Sequence, residues 1–173
     1  MPSAESITLT VGPNGEGARV EWAPDALRAL AGAAEPAAAW RLEGELDWDA
    51  IESLRVVSAA FEDGRLLAVV AVRPAGAAGH DQQHLRGVLI EPEGEVFELA
   101  EALLSTEYDA AGAPARIGLE LYTDPDPDAV PLRVAADRER PGTETEPGRT
   151  AIPMGFRLEG ARGDGLLELV TRR

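Results

Sequence analysis

The chain has 173 residues, 31 acidic against 16 basic, a formal net charge of -15 and no cysteine. That length fits one domain burying roughly 70% of its unfolded surface, and a field of that sign repels phosphate backbones and anionic headgroups, so neither nucleic acid nor membrane is an expected partner. Without cysteine there is no disulfide or thiolate chemistry; the basic side chains are arginines, with no lysine at all, so Schiff-base and Walker-type phosphate chemistry are excluded.

Residues 6–11 and 18–22 alternate apolar and polar side chains around Pro13, Asn14 and Gly15, which predicts a β-hairpin. Residues 24–34 change period, with Leu27, Leu30 and Ala31 on one stripe after Pro24 and Asp25, and predict a short helix closed by Gly32. Residues 40–46 resume alternation, with Gly44 marking a bulge. Residues 47–52 read either way, because Trp48, Ile51 and Leu54 would share a helical face that Asp47 could cap.

Residues 54–61 and 66–72 are rich in Val and Leu on both faces, with Asp63-Gly64 as a two-residue turn. Such a hairpin belongs at the centre, covered on both sides. Residues 74–83 have no periodicity and predict a loop. Hairpins follow over 85–99, closed by the turn at Gly94, and over 104–123. The prolines at 125 and 127 force a loop over 124–128. Residues 132–136 form a strand, 138–149 a mobile polar loop, and 154–158 with 166–171 a last hairpin over the Gly160–Gly165 turn. Roughly ten to twelve short strands with one helix predict an all-β fold, an antiparallel β-barrel or a two-sheet β-sandwich.

Chemistry-bearing residues are sparse. The two histidines, His80 and His84, stand four apart in a loop-like segment. No Glu follows His80 as a zincin would need, so a metal site is not expected; either imidazole is a candidate general acid or base. Asp124, Asp126 and Asp128 begin like a calcium loop, but Ala129 and Ala135 stand where its Gly and Glu belong, so an acidic turn is expected. No G-x-S-x-G and no G-x-G-x-x-G is present. Glu120 and Tyr122 share the polar face of their strand with Arg116. They complete the candidate catalytic set if that face lines a barrel interior, and are surface residues if it meets water. No cofactor is implied. Trp22, Trp40 and Trp48 read as core rather than as a sugar platform.

The ending Phe156-Arg157-Leu158-Glu159-Gly160-Ala161-Arg162-Gly163-Asp164-Gly165-Leu166-Leu167-Glu168, a glycine-punctuated turn and then a strand carrying a glutamate, resembles a lipocalin-like half-domain of the carotenoid hydratase and AttH type. The resemblance covers about the last 25 residues and general strand layout elsewhere. It implies a single half of a two-half architecture and transfers no catalytic residue.

No leader or spanning segment of about 20 apolar residues is visible, so a soluble cytoplasmic protein is expected. The expected function is binding of a small, partly apolar ligand inside the barrel or between the sheets, with isomerase, cyclase or hydratase activity as an extension. The alternatives are a non-catalytic interaction module working through a sheet edge or face, including self-association into a homo-oligomer, and a carbohydrate-binding module.

Overall fold

The computed structural model describes residues 6–11, 17–77 and 83–172. Three short strands, β1 (Ile7–Thr10), β2 (Arg19–Trp22) and β3 (Trp40–Glu43), form a small antiparallel sheet in the order β1-β2-β3. Between β2 and β3 lies the helix α1 (Pro24–Arg28). The rest of the chain makes one ten-stranded antiparallel sheet from β4 (Ile51–Phe61), β5 (Leu66–Pro74), β6 (His84–Ile90), β7 (Val96–Glu98), β8 (Glu101–Tyr108), β9 (Pro114–Tyr122), β10 (Leu132–Arg138), β11 (Thr143–Glu146), β12 (Arg149–Leu158) and β13 (Ala161–Thr171). Its order is β7-β6-β5-β4-β13-β12-β10-β9-β8, with β11 paired to β12 beyond the end of β10. The all-β expectation holds, as a curled half-barrel with a small second sheet and almost no helix. None of the described helices is long and apolar enough to cross a membrane.

Two cores explain the hydrophobic pattern. The concave side of the large sheet collects the inward residues of its strands, including Val57, Phe61, Leu67, Leu89, Leu119 and Phe156. Leu104 from β8 belongs to the same cluster, so the curl brings both ends of the sheet around one filled interior. The Leu99 amide donates to the Gly87 carbonyl at 2.9 Å, tying β6 to the chain entering β8. Arg55 crosses one end, donating to Thr106 Oγ1 at 2.7 Å and to Tyr108 Oη at 2.6 Å. The second core lies on the convex side of β4, β5 and β13, where Leu54, Val56, Val70 and Val72 meet Leu9, Val20, Trp22 and Leu27. The β4–β5 hairpin is thus apolar on both faces because it is covered on both.

Three hairpins share one loop. At β4–β5, β6–β7 and β8–β9, the residue before the loop donates its amide across to the residue after it and accepts from a glycine three positions on: Phe61 with Arg65 and Gly64, Glu91 with Glu95 and Gly94, Asp109 with Ala113 and Gly112. These glycines have φ of 95°, 98° and 82°. This is the three-residue loop in which a type I turn ends in a left-handed residue, the conformation glycine adopts without strain. The turn at Asp63-Gly64 is therefore one residue longer than predicted.

Other departures from the sequence reading are local. The helix stops at Arg28 and continues as turns to Gly32, whose amide donates to Asp164 Oδ2 at 2.8 Å; Leu27 and Leu30 are buried but Ala31 is exposed. Residues 47–50 form a turn, and β4 begins at Ile51. The last hairpin turns over Glu159-Gly160 alone, with Leu158 paired to Ala161, so Gly163 and Gly165 lie inside β13. The reason is contact: a Cβ on Gly165 would overlap the Ser58 carbonyl oxygen and stand 2.9 Å from Ala59 Cα, so only glycine lets β13 lie this close to β4. Residues 138–149 are not a mobile loop. Glu139 donates its amide to the Pro153 carbonyl at 3.0 Å, β11 pairs with β12, and Pro147-Gly148 turns the chain between them.

Candidate functional site

Of the residues singled out in the sequence, His80 lies outside the described residues. His84 opens β6, exposed and opposite Val72. Glu120 and Tyr122 lie on the convex face of β9, because Ile117, Leu119 and Leu121 take the interior. Tyr122 Oη donates to Glu120 Oε2 at 3.3 Å. Partial burial, and then the negative charge of Glu120, raise the Tyr122 phenol above its ordinary range, so it remains protonated near neutral pH. His84 and the Glu120–Tyr122 pair sit on strands that are not hydrogen-bonded neighbours. Asp124 and Asp126 accept the amides of Asp126 and Asp128, each at 2.9 Å, and so close tight Asx turns.

Two cavities combine apolar walls with charged side chains. One, of about 660 Å³, is a trough on the convex face, floored by Ser105, Gly118 and Ala135 and walled by Leu103, Arg133 and Arg157. It exists because small side chains from three adjacent strands fall in one row. The other, of about 550 Å³, lies between the two sheets. Its walls are Trp40, Leu42 and Leu46 from β3 and the turn after it, Trp48 from the same turn, Val170 from β13, and Arg149 at the start of β12.

The second cavity is built on a buried polar cluster. Glu168 is fully buried, on the convex face of β13 beside Val170. Its Oε1 accepts the indole N–H of Trp40 at 2.7 Å. Its Oε2 accepts Arg149 Nε at 3.1 Å and Nη2 at 2.8 Å. The same guanidinium stacks on Trp40, with Cζ 3.9 Å from the ring centroid. Arg149 stands opposite Val170 in the β12–β13 ladder, so Glu168 is its diagonal neighbour on one face. The plane of the Arg149 guanidinium is thereby set by two other side chains. Each oxygen of Glu168 thus accepts from a named donor.

The exposed Glu45, Glu146 and Arg172 also line the cleft, and Arg172 pairs with Asp49 at 3.4 Å. The sequence reading noted Glu168 as the glutamate of the last strand and Trp40 and Trp48 as core, and gave no role to Arg149, Glu45 or Glu146. One signal was present: Glu168 interrupts the apolar run Leu166-Leu167-Glu168-Leu169-Val170, where a charge on a buried strand needs a partner. A second was Pro147-Gly148 beside the alternating Thr143-Glu144-Thr145-Glu146, a hairpin tip rather than a loop. A scan against protein-family models gives no match to this chain, and no curated protein matches it.

Proposed function

We propose that this chain binds a small, partly apolar molecule in the cleft between its two sheets. The observation that carries the reading is the Trp40–Glu168–Arg149 cluster, a buried ion pair opening onto a cavity of about 550 Å³. Burying two charges costs several kcal/mol per ion before their attraction is counted, and apolar side chains of the same volume would hold two sheets together at least as well. A role in orienting a ligand accounts for the charges. The volume is in the range of small-molecule sites, and apolar walls with a few fixed polar groups are their usual make-up. The concave interior, by contrast, is filled with side chains.

The test is titration with prodan, a neutral naphthalene dye whose emission shifts to the blue in apolar surroundings. Saturable one-to-one binding is expected, weakened about tenfold by Trp48→Ala, which removes roughly one aromatic contact's worth of stabilisation. Leu103→Ser, in the convex trough, is expected to leave it unchanged. Absence of saturable binding, or binding indifferent to Trp48, overturns the reading.

The second reading, an interaction module, draws on exposed Val96 and Phe97 on β7 and Leu103 and Tyr108 on β8, the two terminal strands of the large sheet. Glu91, Glu93, Glu95, Glu98 and Glu101 surround the β7 edge. Like charges there oppose pairing with a second copy, a common guard on open edges. We therefore place this reading second; a dimer at micromolar concentration in sedimentation, abolished by Phe97→Lys, would promote it. Trp40 is buried under Arg149, which removes the paired exposed indoles that carbohydrate stacking requires.

A further inference from the structure

We infer that the ligand of the inter-sheet cleft is an amphipathic monocarboxylate, its carboxylate received end-on by Arg149. The inference rests on the reading of the cleft as a ligand site.

A guanidinium carries five N–H donors in one plane. Glu168 takes the Nε–H and one Nη2–H of Arg149. Among the described residues, no acceptor takes the other Nη2–H or the two on Nη1. The outer Nη1 and Nη2 hydrogens form a parallel fork, the arrangement that meets both oxygens of a carboxylate. Stacking on Trp40 and the bonds to Glu168 hold the plane of this fork before any ligand arrives. The side chain is 18% exposed, and it lines the cavity.

The surroundings narrow the charge and the body. Glu168 already offsets the charge of Arg149, and the exposed Glu45, Glu146 and Arg172 also line the cleft. With Glu45, Glu146 and Glu168 set against Arg149 and Arg172, a dianion such as a phosphate monoester would meet a lining of net negative charge, and Arg172 is already paired with Asp49. A cation at the inner end of the cleft would face the Arg149 guanidinium, which already covers Trp40. A single carboxylate matches the fork. Leu42, Leu46, Trp48, Pro147 and Val170 form the apolar part of the cleft, which takes a hydrocarbon or aromatic body.

Three probes with one ring system separate the possibilities: 2-naphthoate, 2-naphthalenemethanol and 2-naphthylmethylammonium, titrated calorimetrically into the whole chain near neutral pH. Naphthoate is expected to bind about tenfold or more tighter than the carbinol, as a charge-assisted bidentate contact does. Arg149→Lys keeps the charge and removes the fork, and should erase that preference, read as the ratio of naphthoate to carbinol affinity. The double variant Arg149→Gln/Glu168→Gln, which leaves no buried charge unpaired, should do the same and guards against misfolding of the single variant. If the carbinol or the amine binds as tightly as naphthoate, and Trp48→Ala weakens it, the carboxylate inference fails while the cleft remains a ligand site. If none of the three binds saturably, both fail.

Discussion

Trp22 and Trp40 face each other across the β2–β3 ladder, and each donates its indole N–H to a polar side chain buried in the large sheet, Trp22 to Ser58 at 2.9 Å and Trp40 to Glu168 at 2.7 Å. Ser58 and Glu168 are the buried polar residues of the described chain. Apart from Arg149 beside Glu168, the cluster around them is apolar, so the two indole bonds fix where the small sheet docks, a task that non-directional hydrophobic contact does poorly.

The Trp22–Ser58 bond makes a stability prediction. Trp22→Phe leaves the Ser58 hydroxyl buried without its donor and should cost about 1–3 kcal/mol beyond the lost ring volume. Adding Ser58→Ala removes the orphaned group. In urea unfolding, the double variant should therefore lose less than the sum of the two single ones, and additive losses would show the bond to be energetically idle.

At Glu168 the stakes are higher because the group is charged. Arg149→Ala strips the carboxylate of two donors while it stays buried, and should destabilise by about 3–5 kcal/mol. Arg149→Met with Glu168→Leu should recover most of that loss in thermal melts, while losing the ligand preference described above. A single-variant loss no larger than that of an exposed arginine would contradict the burial argument.

Gly165 tests the close approach of β13 to β4. Gly165→Ala drives a methyl into the Ser58 carbonyl and the Ala59 backbone, where no flexible side chain can give way. The expected cost is about 3 kcal/mol or more, at the upper end of overpacking penalties. Gly76→Ala is the control. Its Cβ meets open space at φ 76°, so only backbone strain of about 1 kcal/mol is expected.

Asp109 sets a pH dependence. The backbone amide of Ala113, and then the guanidinium of Arg138 at 2.8 Å, hold its carboxyl below the ordinary value of 3.8. A carboxyl depressed in the folded state binds its proton more weakly there than in the unfolded chain. Its stabilising contribution is complete above the ordinary value and is lost as pH falls through the lower, folded one. Melting temperatures of wild type and Asp109→Asn should therefore converge on acidification through that window; a constant gap would remove Asp109 from the acid response.

The alternation of Ile7-Leu9-Val11, Ile117-Leu119-Leu121 and Phe156-Leu158 was enough to establish an all-β fold and which face of each strand is buried, because side chains on a strand point alternately to two sides whatever the strand pairs with. The doubly apolar 54–72 hairpin likewise announced its central place. What pairing and packing alone decided was the site. Glu168, Arg149 and Trp40 come from three separate strands, and the sequence orders them by position in the chain, not by adjacency across two sheets. Residues 138–149 hid the hairpin that carries Arg149, because a two-stranded ribbon of polar residues draws its order from the neighbouring ladder rather than from its own composition. The polar faces bearing Glu120 and Tyr122 could be sorted into lumen or exterior only once the curl of the large sheet chose which side was concave.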